Sequence, residues 1–418
     1  MNKNNKIKIA IINGIYFPAP GGAQVQSHNF ANKFVELGHK VDSYIFNKTD
    51  TKINNYNIIL INKTLTSIVY FFRYYLNFNV SFILTLYLKN IIKKKKYDVW
   101  HFNFINFKSL ILINCLKKLK QNIIVTFQGI DIQIDKKIGY GYRLNKKYNS
   151  YFLQTIDNVD LFLSISKTIE EDLIKIGVEK NKISYLPNTV IINKIKKIIR
   201  ENKKIINKKL ELITVARFAK KKKGFDLIPI VAQKLSEFNI DYRWTIIGKN
   251  TDNLFNNSFI FENKKLFRIL ENINNEDEKY YPHSKLIEKY VNSDLYVNLA
   301  RIESFGITFV EAMACRLPVV SFNSKGANEI IVNQYNGYII NSESIDDFVK
   351  KIEYLYKNKD KINIIKENAF TSAEKYDLDL ISQKLLLIYK NISNQDLQKN
   401  TTQWISIIGL PFYLKLQQ

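Results

Sequence analysis

At 418 residues the chain is long enough for two domains of ordinary size, each with its own core. An apolar content of 46% with 13% aromatics excludes a disordered polymer, and a formal charge of +25 favours anionic partners such as nucleotides, phospholipid surfaces or nucleic acid. Cys115 and Cys315 are the only cysteines and no C-x-x-C or Cys/His cluster occurs, which argues against a disulfide framework or a structural zinc and fits a reducing compartment.

Residues 6–17 read as a buried strand. The opening MNKNNKIKIAIINGIYF has a basic head and a short apolar run but passes straight into PAPGG with no small-x-small cleavage site, so a strand and loop are expected there, not a signal peptide. The loop 18–22 opens a helix over about 23–37, in which Val25, Phe30, Phe34 and Leu37 recur near helical spacing and Gly38 provides the stop. Strands follow at 41–46 and 57–61. The stretch 65–92 is apolar and aromatic, yet Arg73, Asn77 and Asn79 interrupt it, so a transmembrane helix is not expected. Its aromatics and the following Lys93 to Lys96 suit an interfacial helix on anionic lipid; a helix packed within its own domain is the competing reading.

Further strands are expected at 98–102, 123–127 and 161–166, the last followed by a helix to about 176 with Gly177 as its stop. The turn TFQGID places Gln128, Gly129 and Asp131 at a strand end. His28 and His101 read as satisfied structural histidines. Residues 193–209 are charged and core-poor, the best candidate for an interdomain linker. Beyond it a strand at 210–215 runs into Arg217 and the lysines 220–223 before Gly224. At a strand end a guanidinium and an ammonium can clamp a diphosphate and stabilise a leaving nucleotide. A strand at 242–248 is followed by a polar, irregular segment, 250–282, and a short helix at 283–292.

The stretch LYVNLARIESFGITFVEAMACRLPVVSF, residues 295–322, has the pattern of strand, loop, helix and parallel strand. Open parallel sheets bind ligands beyond the carboxyl ends of their strands, where Phe305, Gly306, Ile307 and Thr308 offer helix-start amides suited to phosphate. Glu303 and Glu311 bracket that anion site; carboxylates suit sugar hydroxyls, which donate to them. Gly326 and Glu329 lie on the next turn, Asn336 and Gly337 mark another, and helical patterns occupy 344–356 and about 378–389. Asp377 and Asp379 precede the last helix and read as capping residues. The closing TQWISIIGLPFYLKLQQ is apolar and broken by Pro411, suited to docking on the first domain or to touching membrane.

A Glu pair eight residues apart is uninformative alone. In context the 295–322 string resembles the E-x7-E segment of retaining glycosyltransferases of the GT-B fold, in particular family 4 of the sugar-nucleotide-dependent enzymes. GGAQVQSHNF resembles that family's paired-glycine loop, TFQGID its T-x-H-G-x-D turn with Gln128 in place of His, and ARFAKKKKG its Arg and Lys-Gly pair with one extra residue between them. The resemblance implies an α/β protein of two doubly wound Rossmann-like domains facing a central cleft: 1–192 on the acceptor side, a linker at 193–209, 210–375 binding the nucleotide-sugar, and 376–418 packing back on the first domain. It implies Glu303, Arg217 and Lys222 or Lys223 as catalytic groups. Gly22, Phe305, Gly306, Ile307, Thr308 and Glu311 would bind the donor, with Glu303 on the sugar and Glu311 on ribose. Gly21, Gln128 and Asp131 would lie on the acceptor side. The implied activity is a metal-independent retaining hexosyltransferase without cofactor, moving a sugar from a nucleotide-sugar to a hydroxyl-bearing glycan or lipid-linked acceptor in cell-surface polysaccharide or glycolipid synthesis. It would be cytoplasmic, with the inner face of the cell membrane as a candidate anionic surface and no nucleic-acid partner. The alternatives are a nucleotide-sugar epimerase of the same fold and a non-catalytic binder of anionic lipid or nucleic acid.

Overall fold

The computed structural model describes residues 6–14, 21–47, 55–202, 208–271, 273, 278–341 and 344–393. The first half supplies β1 (Lys8–Asn13), β2 (Lys40–Ile45), β3 (Asn57–Leu60), β4 (Val99–Asn103), β5 (Ile123–Phe127), β6 (Leu161–Ser164) and β7 (Ile183–Tyr185). They form one sheet of order β3-β2-β1-β4-β5-β6-β7. The second half supplies β8 (Leu210–Val215), β9 (Tyr242–Ile247), β10 (Phe267–Leu270), β11 (Leu295–Asn298), β12 (Val319–Phe322) and β13 (Gly337–Ile340), in the order β10-β9-β8-β11-β12-β13. The pairings within both sheets are parallel. Parallel neighbours need crossover connections, here mostly helical, and the crossovers cover both faces. That is why strands such as β1, β4 and β5 read as nearly unbroken apolar runs.

Each sheet reverses its winding direction once. In the first the reversal falls between β1 and β4, and in the second between β8 and β11. The carboxyl ends at such a reversal diverge to leave a crevice, the usual ligand position of an open α/β sheet. The segments leaving β1, β4, β8 and β11 carry the Gly21–Gly22 pair, Asn103, Arg217 with the lysines, and Glu303.

One face of the first sheet (Ile9, Ile11, Val99, Ile124, Leu163) packs on Phe30 and Phe34 and on the final helix, Leu378–Ser393, through Leu385, Ile388 and Tyr389. Residues 394–418, including the apolar end of the chain, lie outside the described residues. Lys33 pairs with Asp379 across this contact. His101 lies inside it, with Nδ1 2.5 Å from the Tyr389 hydroxyl and Nε2 2.7 Å from Thr126 Oγ1, and burial lowers its pKa to about 3. His28 is likewise structural, held between the Tyr56 hydroxyl and the Lys279 carbonyl, each at 2.8 Å.

Three expectations change. The described first part of the charged segment 193–209 is not core-poor: Ile192–Glu201 is a helix whose Ile192, Ile195 and Ile198 form one buried face. That face joins the same apolar cluster as Leu286, Ile287 and Tyr290 of the second domain. The apolar stretch 65–92 is two helices, Lys63–Tyr75 and Ser81–Lys95. Asn77 adopts a left-handed conformation between them, and Asn79 accepts from the Ser81 amide (3.1 Å) and hydroxyl (2.6 Å) to start the second. Within the polar 250–282 segment lies β10, an edge strand too short and mixed to show an alternating pattern.

Leu385 is fully enclosed between the final helix and the first sheet. Leu385→Ala is expected to destabilise the first domain by about 2–5 kcal/mol, the range for truncating a core leucine. Chemical denaturation followed through the first-domain transition checks this, and an unchanged midpoint would remove the helix from the core.

Candidate active site

The loop after β8 is clamped to the loop after β11. The amides of Arg301 and Ile302 both donate to the Lys222 carbonyl, at 3.0 and 3.2 Å. Arg301 Nη1 also reaches the Lys221 carbonyl at 2.9 Å and Asp226 at 2.8 Å. This seam sets the two lysines in different roles. Lys223 Nζ lies 2.5 Å from Glu303 Oε2, with both side chains largely shielded from water. Lys222 Nζ stands 4.1 Å above the Tyr140 ring. Burial, then the positive charge of Lys223, lower the Lys222 pKa to about 7, a further push coming from Arg217. Arg217 itself is exposed at the strand end.

The glutamate loop runs into the helix Ile307–Ala314. Its first amides, those of Ile307 and Thr308, have no carbonyl a turn earlier to bond and carry the positive end of the helix dipole. Gly306 precedes it at φ 89°, and a Cβ there would lie 2.2 Å from the Phe309 ring, so the turn needs glycine to let Phe309 fold back into the core. Phe305 is a core anchor, edge-on to Tyr376 at 5.5 Å, and Thr308 Oγ1 lies 2.7 Å from the Tyr296 hydroxyl. The Gly326 amide donates to the Glu303 carbonyl at 2.8 Å, supporting the loop from below.

Across the cleft, a Cβ on Gly22 would meet Ile307 at 3.6 Å, which sets the paired-glycine segment directly opposite the helix start. Gly21 is extended. Gln128 donates through Nε2 to Asn103 Oδ1 (2.9 Å) and accepts from Asn188 (3.4 Å), so both ends of its amide are used within the first domain. Asp131 is fully enclosed, accepting from the amides of Gln128 (3.0 Å), Gly129 (2.9 Å) and Ile105 (3.4 Å), with its pKa raised by burial to about 7. Its carboxyl holds the turn.

Glu311 lies one turn inside the helix Ile307–Ala314. It is 1% exposed, accepts from the Tyr290 hydroxyl at 2.8 Å, and burial raises its pKa to about 7.

Three contributors escaped sequence reasoning. Gln133 and Tyr140 lie on a hairpin closed by the 2.8 and 2.9 Å bonds between Asp135 and Tyr140, and the third, Ser304, comes from the second domain. Ser304 Oγ donates to Gln133 Oε1 at 2.7 Å. Gly129 stands at φ 123°, where a Cβ would fall 2.0 Å from Ser304 Oγ, so this approach of the two domains requires glycine. The glycines on either side of Tyr140 in IGYGY were the available signal.

Residues 20–194 match the family Glycosyltransferase Family 4, and residues 195–372 match Glycosyl transferases group 1. The chain belongs to the group 1, family 4 glycosyltransferases. Among curated relatives, the phosphatidylinositol N-acetylglucosaminyltransferase GPI3 subunit of Saccharomyces cerevisiae is 21% identical over 421 aligned residues, covering 96% of this chain and 86% of that protein. A glycosyltransferase from Rickettsia africae superposes with a TM-score of 0.71 at 20% identity, covering 94% of this chain and all of that one. The Anabaena protein HepE in complex with UDP and glucose gives a TM-score of 0.71 at 14% identity, covering 92% of this chain and 100% of that one. These structures share the two-domain GT-B fold with this glycosyltransferase. Among its described residues no cluster of three or more His, Cys, Asp or Glu side chains is placed to hold a metal ion.

Because Glu311 titrates near 7 when folded and near 4.5 when free, the folded protein holds more protons than the unfolded chain between those values, and stability falls as pH rises through them. Glu311→Gln keeps an acceptor for Tyr290 and removes the charge. Its stability relative to wild type is expected to rise across this window by on the order of 3 kcal/mol, at about 1.4 kcal/mol per pH unit. Paired denaturation curves below and above the window check this; Asp131, shared by both proteins, cancels in the difference.

Proposed function

We propose that this glycosyltransferase moves a hexosyl group, with retention at the anomeric carbon and without a metal, from a nucleotide-sugar to a hydroxyl of a glycan or lipid-linked acceptor. The observation that carries the reading is the convergence of Arg217, Lys222, Lys223 and Glu303 at the winding reversal of the second sheet, beside the start of the helix Ile307–Ala314. The UDP and glucose held by the Anabaena neighbour and the phosphatidylinositol in the name of the yeast relative support the donor class and a lipid-linked acceptor. The setting would be cell-surface polysaccharide or glycolipid synthesis on the cytoplasmic side of the membrane.

In the proposed step the bond from the anomeric carbon to the donor phosphate oxygen breaks, and negative charge gathers on the departing diphosphate. Arg217, Lys222 and the amides of Ile307 and Thr308 are disposed to stabilise that charge, a role that preorganised cations and dipoles can fill without a metal. The acceptor oxygen bonds to the carbon on the same face, and its proton passes to the leaving phosphate oxygen. Glu303 orients the sugar. Its carboxylate is already matched by the Lys223 ammonium 2.5 Å away, which weakens it as a nucleophile and favours front-face attack over a covalent glycosyl-Glu303 intermediate.

Nucleotide release from a panel of nucleotide-sugars with hydroxyl acceptors tests this directly. Arg217→Ala and Glu303→Gln are each expected to lower turnover roughly 100-fold, as for loss of one preorganised stabilising group. Full activity after chelation, and NMR of the product showing the donor's anomeric configuration, are expected. An inverted product, a chelation-sensitive rate or undiminished variants would overturn the assignment. Formation of an isomeric nucleotide-sugar without acceptor would turn the reading to epimerisation.

Lys222 supplies a separate check. A diphosphate beside it favours the ammonium, so above its pKa of about 7 donor binding is expected to take up as much as one proton. Calorimetry in buffers of different ionisation enthalpy reads the uptake, and Lys222→Arg, which remains charged throughout, is expected to abolish it.

A further inference from the structure

The helices Lys63–Tyr75 and Ser81–Lys95 hold nine of the 21 exposed large apolar side chains among the described residues, counting their flanks from Leu60 to Leu86. So uneven a share marks an interaction surface, since single exposed apolar residues are normal and a contiguous patch is not. The inner faces are satisfied: Val69, Leu84 and Leu88 are buried in the core, and Tyr70 and Tyr74 pack edge-on against Phe107 at 5.5 and 5.0 Å. Outward, Ile68, Phe71 and Tyr75 fall at helical spacing on the first helix, and Phe82 and Leu86 on the second, with Phe78 exposed in the connection.

The second helix continues its outer stripe from Phe82 and Leu86 into Lys89 and Lys93, both exposed, so one face changes from apolar to cationic along its length. Residues 61–97 contain seven Lys or Arg and no Asp or Glu. A second copy of this face would set like charges against each other. An anionic bilayer offers acyl chains to the aromatics and headgroup charge to the lysines. No described helix is long and apolar enough to cross a membrane.

We propose that these two helices form a monotopic docking surface for anionic lipid bilayer, with Phe71, Phe78, Phe82 and Leu86 entering the headgroup boundary and Lys89, Lys93, Lys94 and Lys96 at the phosphate level, while Lys95 turns inward to pair with Asp42 at 3.3 Å. The surface is coupled to the cleft side of the same domain. Asn145 Nδ2 donates to the Tyr74 hydroxyl at 2.9 Å and Lys147 Nζ to the Tyr74 carbonyl at 3.3 Å, in the segment that continues from the Tyr140 hairpin. The proposal goes beyond the transfer reading and stands apart from it, because docking is measured with no donor present.

Co-sedimentation of the full chain with vesicles of phosphatidylcholine alone, and with phosphatidylglycerol added, is the test. Binding to the anionic vesicles and release by salt are expected. Lys89→Gln with Lys93→Gln should weaken partition roughly 25-fold, about five-fold per lysine. Phe78→Asp with Phe82→Asp should abolish it, while nucleotide release with soluble substrates is unchanged in both. If the aspartate variant fails to fold, the glutamine pair at exposed positions still decides. No binding by wild type, binding indifferent to both replacements, or a dimer broken by the aspartates without vesicle binding would overturn the proposal.

Discussion

One backbone seam organises the second half of the molecule: a single carbonyl, that of Lys222, receives the amides of both Arg301 and Ile302. A parallel sheet that reverses its winding between β8 and β11 leaves two loops side by side with nothing of its own to join them. The seam joins them. It fixes Lys223 against Glu303 and turns Lys222 toward the other domain, so a loop of four lysines, otherwise a mobile and mutually repelling run, becomes two differently used cations. Because the restraint is backbone to backbone, it does not depend on the protonation of either lysine.

Environment then separates groups that look alike in sequence. Glu303 keeps a cation at 2.5 Å, whereas Glu311, eight residues on, faces the Tyr290 hydroxyl inside the core with its pKa pushed up to about 7. Asp131 meets three amides yet is enclosed enough that desolvation outweighs them, and its pKa also rises to about 7. Enclosure makes both carboxyls structural in the arrangement observed. The proposed donor contacts that remain open are those at the strand ends: Arg217, Lys222, Glu303 and the first amides of the following helix.

The strand ends were legible because fully covered parallel strands appear as apolar runs bounded by Gly, Asn or charged residues. The runs 123–127, 210–215 and 319–322 coincide with β5, β8 and β12. The crossing helix Ile192–Glu201 was less visible because every apolar residue on its buried face has charged or polar neighbours, and average charge hides a narrow stripe. Burial of Asp131 and Glu311 was not legible at all, since it follows from what other segments place around them. Tyr140 and Ser304 meet across the domain boundary from positions 164 apart, a relation no local pattern encodes. Which lysine faces which partner depended likewise on the seam with Arg301 and Ile302, not on the spacing to Gly224.

The segment from Gln128 to Tyr151 connects the two surfaces that matter. At one end Asp131 fixes its turn and Tyr140 shields Lys222 in the cleft. The chain then passes through a series of ring contacts: Tyr142 against Phe104 at 5.8 Å and Tyr148 at 5.6 Å, and Tyr151 stacked on Phe107 at 4.9 Å. Phe107 in turn meets Tyr70 and Tyr74 on the inner side of the exposed helices. Such a series is stiff, because packed aromatic rings have few rotatable bonds. Packed rings therefore link the outer helices to the segment that carries the hairpin facing Lys222 and Ser304. For an acceptor held at a bilayer this stiffness would have a direct use: it would keep the cleft at a set height and tilt above the surface on which the acceptor hydroxyl is presented.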